Sequence, residues 1–207
     1  MIILYDIMAK QIVVIHGGNA FEKYEEYLQY LKGKEITLSK LNFRDWKMTL
    51  AEALGNEYQV ISPQMPNSQN ARYAEWKIWF EKLITILDGT VVFIGHSLGG
   101  IFLAKYLSEN NYPKKIKATF LVAAPFNTEN EHPLVDFIIS RDLSMFAGQG
   151  GDIFLYHSKD DEVVPYSNVL SYQQALPGAY VRIFEDRQHF KQTEFPEIVD
   201  DIKKLDK

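Results

Sequence analysis

Cysteine is absent from the 207 residues, so disulfides, thiolate nucleophiles and cysteine-based metal sites are all excluded. Long apolar runs are missing too: no stretch approaches the roughly eighteen residues that a membrane-spanning helix needs. Positive charge is not in excess. The net charge of −5 gives no basic surface for nucleic acid or an anionic membrane, and neither is expected as a partner. Internal repeats, low-complexity tracts and linkers are lacking, and so are the HExxH and GxGxxG patterns of zinc and dinucleotide sites. No metal and no cofactor is therefore expected. The N-terminus MIILYDIMAK has an apolar start but neither a basic leader nor a small-residue cleavage pattern, so a signal peptide is not predicted and the cytoplasm is the default location. One domain spanning 1–207 is expected, with residues 1–9 a candidate N-terminal extension, since Met8 is itself a plausible start that would leave 1–7 outside the core fold.

What is present is ordinary globular material, 46% hydrophobic and 24% charged, in a pattern of short β-branched runs alternating with longer amphipathic segments. Strands are predicted at Gln11–Ile15, Tyr58–Ile61, from Thr90 into Gly95, Ala118–Ala123, Ile153–His157 and Tyr180–Phe184. Helices are predicted at Phe21–Leu31, Phe43–Leu54 (closed by Gly55), Ala71–Leu87, Leu98–Glu109, Pro165–Leu176 and Phe195–Leu205. Trp76, Trp79, Phe80, Leu83, Ile84 and Leu87 fall on one face of the third of these. Residues 125–151 are less regular, with one helical stretch expected near Leu134–Ile139. The alternation, with strands apolar almost throughout, implies a three-layer α/β fold. A parallel or mostly parallel sheet of about six strands is covered by helices on both faces. Right-handed crossovers then bring the loops that leave the strands' carboxyl ends to one edge, where ligands bind.

At that edge the most informative stretch is TVVFIGHSLGG, residues 90–100. It is a G-x-S-x-G pattern set between a buried strand and a helix, the setting in which such a serine becomes an exposed nucleophile. Ser97 is therefore a candidate nucleophile. A hydroxyl needs a base, and the base needs an orienting group. Among five histidines, His16 and His96 sit in the glycine turns and are expected to pack there, and His132 lies in the irregular segment. His157 ends a strand close to the acidic pair; His189, in the polar loop 185–194 after the last strand, is the candidate base. The orienting carboxylate is sought after the fifth strand, where Asp160 and Asp161 are chemically equivalent and one is expected to cap the next helix. An oxyanion hole requires two aimed N–H groups. The amide of Leu98 supplies one, and the His16-Gly17-Gly18-Asn19 turn the other, through Gly18 or else Asn19. Trp76, Trp79, Phe126, Phe137 and Phe146 are candidates for an apolar acyl pocket, although the two tryptophans sit on a helical face and are read first as core.

Together these residues resemble the small α/β-hydrolases of the retinoblastoma-binding protein 9 type. The likeness runs from Lys10 onward through the first glycine turn, Met65-Pro66, GHSLGG, SKDDEVVP and HFKQTEF at 189–195. The order Ser, Asp, His along the chain is that of the α/β-hydrolase arrangement. The resemblance implies a serine hydrolase with a minimal lid, and it selects Asp161, four residues before Pro165, as the acid. It also marks His189 a second time. Gln188 stands where hydrolases often carry glycine, and the Phe-rich 125–151 segment is long enough to form a small cap. A small-molecule acyl substrate, as an ester, thioester or small amide, is the expected partner. The rival expectation is a catalytically weak or inactive hydrolase fold that serves as a protein-interaction module.

Overall fold

Six parallel strands in the order β2-β1-β3-β4-β5-β6 form the frame of the computed structural model, which describes residues 9–126 and 133–205. They are β1 (Lys10–Ile15), β2 (Tyr58–Ile61), β3 (Thr90–His96), β4 (Lys115–Val122), β5 (Asp152–Ser158) and β6 (Tyr180–Phe184). Burial alternates face by face along β1. Val13 and Ile15 enter one core with Trp76, Phe80 and Phe102, whereas Ile12 and Val14 enter another with Trp46, Leu50 and Ile198. That double burial is why β1 reads as a continuous apolar run rather than an alternating one.

The helices are α1 (Tyr24–Gly33), α2 (Leu38–Leu41), α3 (Trp46–Leu54), α4 (Tyr73–Ile86), α5 (Leu98–Glu109), α6 (Ser144–Gln149), α7 (Ser167–Ala175) and α8 (Pro196–Lys204). Helix α5, central to the larger core, buries nine of its residues, from Leu98 to Leu107. Helices α3 and α8 cover the opposite face. The predicted C-cap at Gly55 holds: it adopts φ +85 and closes α3 by donating its N–H to the carbonyl of Ala51.

Several expectations need correction. The helix expected near Leu134–Ile139 is only a 3₁₀ turn, Val135–Phe137, and the helix of that region is α6 further on. Its apolar residues serve burial of single side chains, Phe137 and Ile139, rather than one continuous helical face. Trp79 is 46% exposed, whereas Trp76, Phe80 and Ile84, spaced four apart, form the buried seam of α4. Four residues advance a helix by slightly more than one turn, so this row keeps facing the core while Trp79 is rotated off it. Helix α2 was not anticipated from the sequence; the Thr37 hydroxyl caps it by accepting from the N–H of Lys40. Residues 1–8 of the candidate extension and residues 127–132 of the candidate cap segment 125–151, His132 among them, lie outside the described residues. Among the described residues no helix is long and apolar enough to cross a membrane.

Parallel register fixes where the strands end. Ile15 lies beside Gly95, Gly95 beside Leu121, and Val122 beside Tyr156, while Ser158 lies beside Phe184. The turn after β1, Ser97, and the loops after β5 and β6 therefore open at one edge of the sheet.

Candidate active site

Ser97 sits between β3 and α5 with φ 56 and ψ −124, a conformation that costs an L-residue about 1–3 kcal/mol. The turn is held in place by its backbone: Ser97 N–H donates to the Val122 carbonyl at 2.9 Å, and the Ser97 carbonyl accepts from Gly100 N–H at 2.8 Å. The motif glycines answer to close approach. A Cβ on Gly95 would stand 2.5 Å from the Gly99 carbonyl oxygen, and one on Gly99 would stand 2.3 Å from that of Ile15. Strain is thus concentrated at the serine, and the glycines let the neighbouring backbones close around it.

His189 and Asp161, predicted from different loops, are brought together. Nδ1 of His189 lies 2.8 Å from Oδ2 and 3.1 Å from Oδ1 of Asp161, with both residues buried. A carboxylate can only accept, so Nδ1 carries the proton and the lone pair belongs to Nε2. Asp161 Oδ1 also accepts from the N–H groups of Val163 and Val164, each at 2.9 Å, which locks the carboxylate plane. The two aspartates, equivalent in the sequence, are therefore different in the fold. Asp160 accepts from the Ser158 hydroxyl at 2.5 Å and from the Gln188 N–H at 2.9 Å, so it ties the histidine loop to β5. Neither aspartate caps α7, whose N-cap residue is Tyr166.

The remaining described histidines are occupied elsewhere. His16 Nε2 accepts from the Met65 N–H at 2.9 Å, and its Nδ1 donates to the Gly17 carbonyl at 2.6 Å. His157 donates from Nε2 to the Val164 carbonyl at 2.9 Å, and burial holds its pKa below the usual histidine value. His96 is buried at the cavity wall; burial first, then the Lys47 ammonium beside it, holds its pKa well below the usual value.

A cavity of about 380 Å³ joins these parts, with Gly17, Gly18, Ser97, Leu98 and His189 in its wall. Leu98 is the first residue of α5, so its N–H has no carbonyl one turn back within the helix. Gly18 and Asn19 both border the cavity, and their amides separate the two alternatives: the Asn19 N–H is donated to the Ser68 carbonyl at 2.9 Å, which leaves Gly18 as the candidate donor. The five aromatic residues considered for an acyl pocket do not line this cavity. Trp76, Phe126, Phe137 and Phe146 are core, and Trp79 faces outward. The cavity takes its apolar surface instead from Pro125, Pro133, Leu134, Val163 and Val164, and Lys191 is its charged wall residue. Among the described residues no three His, Asp or Glu side chains are grouped as a metal site requires.

Two residues flanking His189 have left-handed backbones, Gln188 at φ 47 and Phe190 at φ 51. This explains the preference for glycine at the position of Gln188, since each such non-glycine residue costs about 1–2 kcal/mol. Gln188→Gly is expected to raise the melting temperature by about 2–4 °C in a thermal melt, because the relieved strain exceeds the added freedom of the unfolded chain. An unchanged or lower value would show that the Gln188 side chain contributes contacts that offset the strain.

Comparison with known proteins bears on the family and the fold. The model of the serine hydrolase family matches residues 39–195. Serine hydrolase RBBP9 of Rattus norvegicus is 26% identical over 151 residues, 72% of this chain and 78% of the rat protein. Among solved structures, the ydeN gene product of B. subtilis aligns with a TM-score of 0.67 at 18% identity, covering 95% of this chain and 98% of that one. The 2-hydroxy-6-oxo-6-phenylhexa-2,4-dienoate hydrolase BphD of Rhodococcus sp. strain RHA1 aligns with a TM-score of 0.63 at 12% identity, covering 94% and 89%. At such identities the likeness speaks for the fold alone, and it is the α/β-hydrolase fold. With more than half of its length matched by the family model and an RBBP9 relative across most of it, this chain belongs to the serine hydrolase family.

Proposed function

We propose that the protein cleaves a small carboxylic ester, thioester or amide through an acyl-enzyme on Ser97. The observation that carries this reading is His189, paired with Asp161 at 2.8 Å, in the wall of the cavity that also contains the strained Ser97. Ser97 Oγ attacks the carbonyl carbon as Nε2 of His189 takes its proton, and the resulting imidazolium is stabilised by Asp161. The tetrahedral oxyanion is held by the N–H groups of Leu98 and Gly18, at the positive end of α5. Collapse expels the leaving group, which receives the proton from His189. Water, deprotonated by the same nitrogen, then attacks the acyl carbon and releases the acid and Ser97. No cofactor enters any step. A cavity of about 380 Å³ suits a substrate of modest size.

A second reading, an interaction module without turnover, draws on the exposed apolar side chains Ile36, Leu38, Leu41 and Phe43 around α2, each more than half exposed. One experiment separates the two. Incubation with a fluorophosphonate probe followed by tryptic mass spectrometry is expected to place the adduct on the peptide spanning residues 83–105, at Ser97. An unlabelled protein would favour the interaction module, and an adduct elsewhere would remove Ser97 from the chemistry.

A further inference from the structure

The loop that carries His189 has no regular structure of its own, yet its backbone is tied on two sides. Toward β5, the Ser158 hydroxyl oxygen accepts from the Arg187 N–H at 3.0 Å, and Asp160 accepts from that of Gln188 at 2.9 Å. On the other side four carbonyls of the loop are taken up, three by α3 and one by the end of β3. Trp46 donates its indole Nε1–H to the Phe190 carbonyl at 3.0 Å and its backbone N–H to that of Gln192 at 2.9 Å. The Thr49 hydroxyl donates to the Thr193 carbonyl at 2.7 Å. The fourth, the carbonyl of His189 itself, accepts from Nε2 of His96 at 3.0 Å.

The His96 bond has a support behind it. The Lys47 ammonium lies 3.4 Å from Nδ1 of His96 and can only donate, so that nitrogen keeps its lone pair and Nε2 carries the hydrogen. Lys47 is in turn paired with Asp45, whose other oxygen caps α3 by accepting from the Lys47 N–H at 3.0 Å. The ring of His96 also lies against that of His189, with centroids 4.9 Å apart. Trp46 and His96 are both buried. An imidazole's reach is set by the backbone that bears it, and here that backbone passes through two left-handed residues that only outside contacts can hold.

We infer that His96 and Trp46 are positioning residues for His189, fixing the carbonyls of His189 and Phe190 so that the imidazole stands ready to take the proton of Ser97. The inference rests on His189 being the base. A loop displaced by a fraction of an ångström loses alignment in the transition state far more than it loses substrate affinity.

The test is steady-state hydrolysis of p-nitrophenyl acetate by His96→Phe, His96→Gln and Trp46→Phe in the full chain. His96→Phe keeps a ring but removes the donor; its kcat is expected to fall about 10- to 100-fold with KM within about threefold of wild type. His96→Gln, whose amide can reach the same carbonyl, is expected to recover most of that loss. Trp46→Phe removes one indole N–H while preserving the aromatic packing, and a kcat loss of about tenfold is expected even if His96→Phe fails to fold. Wild-type kcat in either phenylalanine variant, a defect confined to KM, or a glutamine variant no better than His96→Phe would overturn the inference. The base reading is tested separately by His189→Ala, which must lose turnover whatever the mount variants do.

Discussion

Ser97→Ala is expected to lower kcat for p-nitrophenyl acetate by at least about four orders of magnitude, to the level left by substrate binding and the oxyanion hole alone. Without the hydroxyl no acyl-enzyme forms, so the whole covalent route closes and only unassisted attack by water on a bound ester remains. His189→Ala is expected to fall almost as far, because a serine hydroxyl without a base is a poor nucleophile at neutral pH. The double variant should be no slower than the worse single one, since the two groups act as a unit and their losses do not add. Stability is the control. Alanine at φ 56 is strained like serine, so the melting temperature should hold within about 2 °C while turnover disappears. Turnover in Ser97→Ala above about one per cent of wild type would place the chemistry on another group.

The second large effect separates the two adjacent aspartates. Asp161→Asn is expected to reduce kcat by about 10⁴-fold, whereas Asp160→Asn should cost less than about tenfold. The reason lies in the partners of each oxygen. Oδ1 of Asp161 is pinned by the N–H groups of Val163 and Val164, so an asparagine must keep its carbonyl oxygen there and turn its amide nitrogen to His189. That nitrogen is a donor. It forces the lone pair of His189 onto Nδ1 and the hydrogen onto Nε2, the nitrogen that has to accept from Ser97. The geometry survives and the tautomer is wrong. Asp160, by contrast, accepts from Gln188 N–H with an oxygen that asparagine retains, so the loop stays tied to β5. Both variants are read by single-turnover and steady-state kinetics with folding checked by circular dichroism; equal losses would mean that the acid role is shared or misassigned.

Much of the fold was legible because its signals are local. A short run rich in β-branched and aromatic residues reads as a strand wherever it is placed, and Tyr58–Ile61 and Tyr180–Phe184, the two edge strands, have the predicted boundaries. Leu98–Glu109 is likewise a helix over the predicted range, with Ser97 just before it. The errors arose where periodicity had no continuous face to report. Between Leu134 and Ile139 the apolar residues at 134, 135, 137, 138 and 139 mimic a helical stripe, yet only Phe137 and Ile139 are buried. Trp79 was misplaced because hydrophobicity does not say how wide a helix's buried seam is: Trp76, Phe80, Ile84 and Leu87 are buried while Trp79 is left 46% exposed.

The site divides in the same way. Ser97 could be named from its own flanking residues, and His189 from its loop, because the strand-to-turn context of each is written next to it. The roles of Lys47 and Trp46 could not. Trp46 and the Phe190 carbonyl that it holds are 144 residues apart, and nothing near either one announces the other. The sequence by itself determined the strands, most helices, the parallel sheet's open edge and the residue types that meet there, since each depends on side-chain pattern and chain direction. The choice between two chemically identical carboxylates rested on the family resemblance, which selected Asp161, and only the tertiary structure decided which N–H in the first turn is already spent and what holds the histidine loop. Those choices depend on where donors and acceptors from distant segments come to rest, and hydrogen bonding is too directional and too long-range along the chain to be read from composition or period.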